Sequence, residues 1–155
     1  MELVLRFIAI WQLGSPYTRP ANQTLDEFLN MVVESELSKW DGQRWYDASN
    51  AFYTALDAVY AIRGKHAFRK SVGLQSRGPI NRGLFEAEMV VFGSLDTLEL
   101  DFAKKNRELL EEFLSKALTE DSDFIRALSF GTGSSESSNI RVRTLAKIFK
   151  EAKNA

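Results

Sequence analysis

Ile80-Asn-Arg-Gly-Leu-Phe-Glu-Ala-Glu-Met-Val-Val-Phe-Gly-Ser-Leu95 decides the fold. Leu84, Phe85, Met89, Val90, Val91, Phe92 and Leu95 lie nearly all round a 3.6-residue helical cylinder. A helix that is apolar on every side is buried on every side. The stretch 80–95 is therefore expected to be the central helix of an all-α domain, with other helices packed around it.

The flanking sequence supplies those helices. Leu3, Phe7, Ile8, Ile10 and Trp11 recur at near-helical spacing, which predicts a helix over 2–13, ended by Gly14-Ser15-Pro16. Thr24 and Glu27 fit a capping box, and the Leu25, Phe28, Leu29, Val32 stripe carries the second helix to about Lys39. Asp41-Gly42 breaks the pattern. Trp45, Phe52, Leu56, Val59 and Tyr60 form the next stripe, ending near Arg63-Gly64. A short turn around Phe68 and a loop over 72–79 follow. Beyond the central helix, one amphipathic helix is expected over 100–118. A shorter one, capped by Asp121 or Ser122, runs through Leu128, and a last one contains Ile140, Leu145, Ile148 and Phe149. No run alternates with the period of a strand. The expectation is a single domain over 1–155, of about seven helices and without an internal repeat.

Composition bounds the chemistry. The 155 residues are 45% hydrophobic and 26% charged, enough for one sizeable core. With no cysteine, disulfide scaffolds, zinc ribbons, iron–sulfur clusters and thiol nucleophiles are excluded. With His66 as the one histidine, so is a multi-histidine metal site within the chain. No metal site and no cofactor are expected. Glu2 and Arg6 interrupt the apolar N-terminus, which argues against a secretory signal, and no segment approaches the roughly 18 apolar residues a membrane span needs. Cytoplasmic location, away from membranes, is the expectation. The first helix has no capping residue ahead of it, so the chain reads as a piece of something longer.

Charge is unevenly placed. From Ala58 through Phe85 the chain has six basic residues, Arg63, Lys65, Arg69, Lys70, Arg77 and Arg82, and no acidic one. The remainder carries 14 basic residues against 21 acidic, so a basic stretch sits in an otherwise acidic protein. Such a cluster can neutralise phosphates or dock an acidic protein surface. Arg69, Lys70, Arg77 and Arg82 are the candidate contact residues for DNA, RNA or a protein partner.

Catalytic motifs are weaker. Gly131-Thr-Gly-Ser-Ser-Glu-Ser-Ser138 lacks the lysine and the preceding strand of a phosphate-binding P-loop, and reads as a turn with a serine cap. Glu86 and Glu88 are two residues apart, about 200° round a helix, so they cannot share one site. A carboxylate in a central helix needs a neutralising partner, and a nearby arginine is expected for Glu88. A small hydrolase using His66 or Glu88 would need a pocket bringing one of them to further polar groups.

Several segments, in order, resemble a known family. They are Glu2-Leu-Val-Leu-Arg-Phe-Ile-Ala-Ile-Trp11, Leu25-Asp-Glu-Phe-Leu-Asn30, Ala67-Phe-Arg-Lys70, Pro79-Ile-Asn-Arg-Gly-Leu-Phe-Glu86, and Ser129-Phe-Gly-Thr132 leading into Ile140-Arg-Val-Arg143. Their order resembles the helical C-terminal region of the bacterial domain-of-unknown-function 262 family, relatives of GmrSD-type modification-dependent restriction enzymes. In that family a ParB-like N-terminal half carries an Asp-Gly-Gln-Gln-Arg signature linked to nucleotide hydrolysis. Asp41-Gly42-Gln43-Arg44 is one glutamine short and follows a helix, so it reads as a turn and cap, and no family catalytic residue carries over. The resemblance implies a non-catalytic module of a restriction-like or phage-defence protein, docking a nucleotide-hydrolysing domain or partner. The alternative is a stand-alone nucleic-acid-binding protein using the basic stretch 63–82. A natural truncation, a cut-down piece and a separately encoded subunit all remain open.

Overall fold

The structure, a computed structural model, describes residues 2–155. Among these residues there are eight α-helices and no strand. They are α1 (Glu2–Leu13), α2 (Leu25–Ser35), α3 (Gly42–Arg63), α4 (Arg82–Gly93), α5 (Thr97–Lys105), α6 (Arg107–Glu120), α7 (Ser122–Ser129) and α8 (Ser135–Asn154). Short 3-10 turns follow α2 and α3, at Leu37–Lys39 and Gly64–His66.

The all-α reading holds, and α4 is the central helix. Every residue from Gly83 to Phe92 is buried. It packs on α3, α8, α1 and α7. Leu84 and Met89 of α4, Phe7 of α1 and Phe124 of α7 are wholly shielded from water. At roughly 1.5–3 kcal/mol for each large apolar side chain removed from water, this layer is the main source of cohesion.

Local chemistry shifts several boundaries. The central helix starts at Arg82 rather than Ile80, because the Asn81 side chain accepts from Leu84 N and caps it. It ends at Gly93 rather than Leu95, because Asp96 and Glu99 form a reciprocal capping box that opens α5. The expected single helix over 100–118 is two helices. Asn106 leaves the helical region (φ −107°, ψ 30°), and its side chain donates back to Phe102 O, which closes α5 before α6 begins. The second helix stops at Ser35, and its last expected turn is 3-10. Asp121 caps α7 and Ser134 caps α8. Among the described residues no helix is long and apolar enough to cross a membrane.

Candidate functional site

Helix α4 carries two carboxylates into the interior, and each meets a different arginine system. Glu86 is 2% exposed and Glu88 1%. Glu86 faces α1 and α8. It accepts from Arg141 Nη2 and from Ser138 Oγ, both at 2.6 Å, and Arg6 Nη1 lies 3.6 Å away. Arg141 is wholly buried and donates onward to Ala127 O and Thr132 O. Helix α8 is thereby tied to α4, to α7 and to the turn before it. Tyr17 belongs to the same cluster. Burial pushes its hydroxyl above the ordinary tyrosine range; a Ser138 hydrogen bond opposes this, and the Glu86 charge adds to it.

Glu88 faces the other way, toward α3. Arg63 Nη1 lies 2.5 Å from Glu88 Oε1, and Arg63 Nε 3.1 Å from Glu111 Oε2 on α6. Arg63 Nη2 donates to the carbonyls of Arg69 and Ser71. Burial works against the Arg63 charge, but the Glu88 and Glu111 carboxylates outweigh it and hold the guanidinium protonated beyond its usual range. Burial pushes the Glu88 carboxyl up, and Arg63 together with the Phe68 N–H pulls it back only in part.

These contacts build the segment between α3 and α4. Phe68 has φ 63°, a left-handed conformation unusual for a bulky residue, with a strain of about 1–3 kcal/mol. It is fixed from both sides. Its N–H donates to Glu88 Oε2 at 2.9 Å, its carbonyl accepts from Asn81 N at 2.8 Å, and its ring lies 4.7 Å from that of Phe85. Arg69 is buried, and its guanidinium donates to Ala67 O and Gly78 O, spanning the loop. His66 Nε2 donates to Gly73 O, which leaves Nδ1 to accept from Ser71 Oγ at 2.8 Å. Ser71 Oγ in turn accepts from Gly78 N. Residues 64–81 thus form an irregular loop with a polar interior of its own.

The four candidate contact residues are not equivalent. Arg69 is turned inward and holds the loop together. Lys70 is exposed, with Nζ 2.8 Å from Ser129 Oγ. Arg77 is exposed in the loop. Arg82 is exposed at the start of α4 and pairs with Glu2 at 3.3 Å. The outer surface of the loop therefore carries Lys65, Lys70 and Arg77, with Leu74 fully exposed and Ile80 half-exposed between them. An open groove of about 1070 Å³ separates this loop from α6, whose side contributes Arg107, Glu108, Glu111 and Glu112.

Sequence reasoning anticipated an arginine for Glu88 but missed Arg141 and Glu86 as a second pair. Their signal was present: 200° round α4 from Glu88, Glu86 also faces a helix, so it too needs a cation. Among the described residues no cluster of three or more His, Asp or Glu side chains could hold a metal ion. No family model, no curated protein and no solved structure matches the chain.

Proposed function

We propose that this chain is a non-catalytic helical docking module, working in the cytoplasm as part of a restriction-like or phage-defence protein. The resemblance to the domain-of-unknown-function 262 family motivates the setting, and the loop 64–81 is the partner-facing surface. One observation carries the reading. Arg63, His66, Arg69 and Ser71 brace this loop from inside, while Lys65, Lys70, Leu74, Arg77 and Ile80 face outward. A loop fixed before binding loses little conformational entropy on binding. Its outer chemistry, cations around exposed aliphatic side chains, suits an acidic and partly apolar protein surface.

The polar atoms of His66 and Glu88 are committed to neighbours in the fold, which favours docking over hydrolysis. A second reading, nucleic-acid binding, draws on the same exposed cations. The exposed Leu74 and Ile80 among those cations weigh against it, because a phosphate backbone offers them no apolar partner.

The experiment compares the wild-type chain with a Lys70→Glu/Arg77→Glu variant. Each is isolated from its native cells with its bound species, and each is titrated with duplex DNA at about 50 mM salt. The docking reading expects a nucleotide-hydrolysing protein to accompany the wild type and to be lost with the variant, whose melting temperature is unchanged. Tight, salt-sensitive DNA binding by the wild type alone would replace it with the second reading.

A further inference from the structure

Helix α3 carries a second surface, remote from the loop in chemistry and independent of it. Tyr46, Tyr53 and Tyr60 recur every seven residues and are 67%, 63% and 68% exposed. Asn50 and Asp57, also exposed, fill the positions between them. The resulting stripe, Tyr46-Asn50-Tyr53-Asp57-Tyr60, alternates four- and three-residue steps, the spacing of a coiled-coil seam. Tyrosine is amphipathic, so one exposed ring is unremarkable. Three on one seam, some 21 Å from end to end at 1.5 Å per residue, make a continuous face.

We propose that this face pairs with the same face of a second copy of the chain, the two α3 helices running antiparallel about a two-fold axis at Tyr53. The tyrosine spacing is symmetric about that residue. Antiparallel pairing sets Tyr46 of one chain level with Tyr60 of the partner subunit, and Tyr53 level with its own counterpart, as an isologous interface requires. Polar groups match as well. Asp57 comes level with the region of Ser49 and Asn50, whose amide can donate to it. Parallel pairing would instead set each Asp57 against its copy. Beside the stripe, Val4, Ile8, Trp45, Ser49, Phe52 and Tyr53 line an open groove of about 280 Å³ between α1 and α3. Antiparallel pairing brings Tyr53 and Tyr60 of the partner subunit level with it, so their rings have an apolar seat.

The area sets the strength. Three tyrosines of roughly 150–250 Å² each, two-thirds exposed, contribute roughly 300–500 Å² per face before their neighbours are counted. That places the pair at the small, reversible end of specific interfaces, where association is weak.

The test is sedimentation equilibrium of the whole chain. The expected result is a mass that rises with concentration from 17.6 kDa to twice that value. Tyr53→Glu and, separately, Tyr46→Lys should each weaken association by about tenfold or more while leaving the far-ultraviolet circular dichroism unchanged. Two variants guard against one that misfolds. The chain has no cysteine, so orientation is readable too. Mixed Tyr46→Cys and Tyr60→Cys chains, treated with a short bismaleimide, should link 46 to 60 and not 46 to 46. A mass fixed at 17.6 kDa up to millimolar concentration overturns the proposal. So does association that both tyrosine variants leave intact, or 46-to-46 linkage.

Discussion

Arg63, the last residue of α3, and Glu88, in the middle of α4, meet as a buried ion pair at 2.5 Å, with both side chains at most 2% exposed. Arg63 is also the anchor of the loop between those helices, through the carbonyls of Arg69 and Ser71. Removing Arg63 leaves the Glu88 charge buried without a cation, and removing Glu88 leaves Arg63 with the more exposed Glu111 alone. Arg63→Met and Glu88→Leu singly should each cost about 3–5 kcal/mol. The double variant should recover part of that loss, since neither member of the pair is left charged, while Glu111, the Arg69 and Ser71 carbonyls and the Phe68 N–H still lose their partners. Urea unfolding of the four proteins checks this. A double variant whose loss equals the sum of the two singles would mean that the pair is not coupled.

Gly83 shows a different constraint. A Cβ at this position would lie 3.0 Å from both Cδ and Nε of Arg141. In an ordinary helix Gly→Ala gains about 1 kcal/mol. Here Arg141 cannot yield, because Glu86, Ala127 O and Thr132 O hold its guanidinium. Gly83→Ala should therefore destabilise, by about 1–3 kcal/mol, the usual cost of overpacking. Thermal unfolding gives the sign, and a raised melting temperature would show that the arginine has room to move.

How much of this was readable from the chain depends on periodicity. The burial of α4 was legible because seven apolar residues surround its axis, and the opposed directions of Glu86 and Glu88 follow from a two-residue spacing. The need for an arginine at Glu88 was legible from electrostatics. Which arginine was not. Arg63, Arg69 and Arg77 look alike in sequence, yet Arg63 and Arg69 are inside and Arg77 outside. An irregular loop has no repeat to separate inner from outer residues, and its order comes from side chain to carbonyl bonds that join distant positions. The tyrosine stripe on α3 had the periodicity to be seen, but the apolar stripe predicted from Trp45, Phe52, Leu56, Val59 and Tyr60 masks it, and of these Tyr60 is 68% exposed and belongs to the outer face.

Tyr17 gives the fold an alkaline signature. Its hydroxyl ionises above the ordinary value of 10.0 in the folded chain, chiefly because burial disfavours the phenolate. The folded state then holds this proton more tightly than the unfolded state. Its contribution to stability is present below pH 10.0 and is lost as pH rises through the folded value. Phenolate absorbance should show one tyrosine titrating late in the wild type, and that step should vanish in Tyr17→Phe. A late step that survives the substitution would assign it to another tyrosine.

At acid pH the sign reverses, at the start of α2. Glu27 accepts from Thr24 N at 2.7 Å and from Thr24 Oγ1 at 2.9 Å, and these bonds hold its carboxyl below the usual 4.5. The unfolded state therefore binds the proton first as pH falls. The contribution of Glu27 is present above 4.5 and is lost as pH drops through the folded value. Glu27→Gln should flatten this part of the acid unfolding curve, because the amide still caps but does not titrate. An unchanged curve would place the acid sensitivity elsewhere.

The basic stretch divides into two groups that a single kind of substitution can separate. Arg69→Glu removes the brace between Ala67 O and Gly78 O and buries an acid without a partner, so it should lower stability by several kcal/mol, about 3 or more. Lys70→Glu and Arg77→Glu act on exposed side chains and should stay within about 0.5 kcal/mol of the wild type. If the loop is the docking surface, the second pair lowers partner binding at full stability, while the first lowers both together. Denaturation midpoints and partner affinity measured on the same samples distinguish these outcomes. Equal loss of stability from all three would mean that the exposed cations also hold the fold, and the loop would no longer serve as a free surface for a partner.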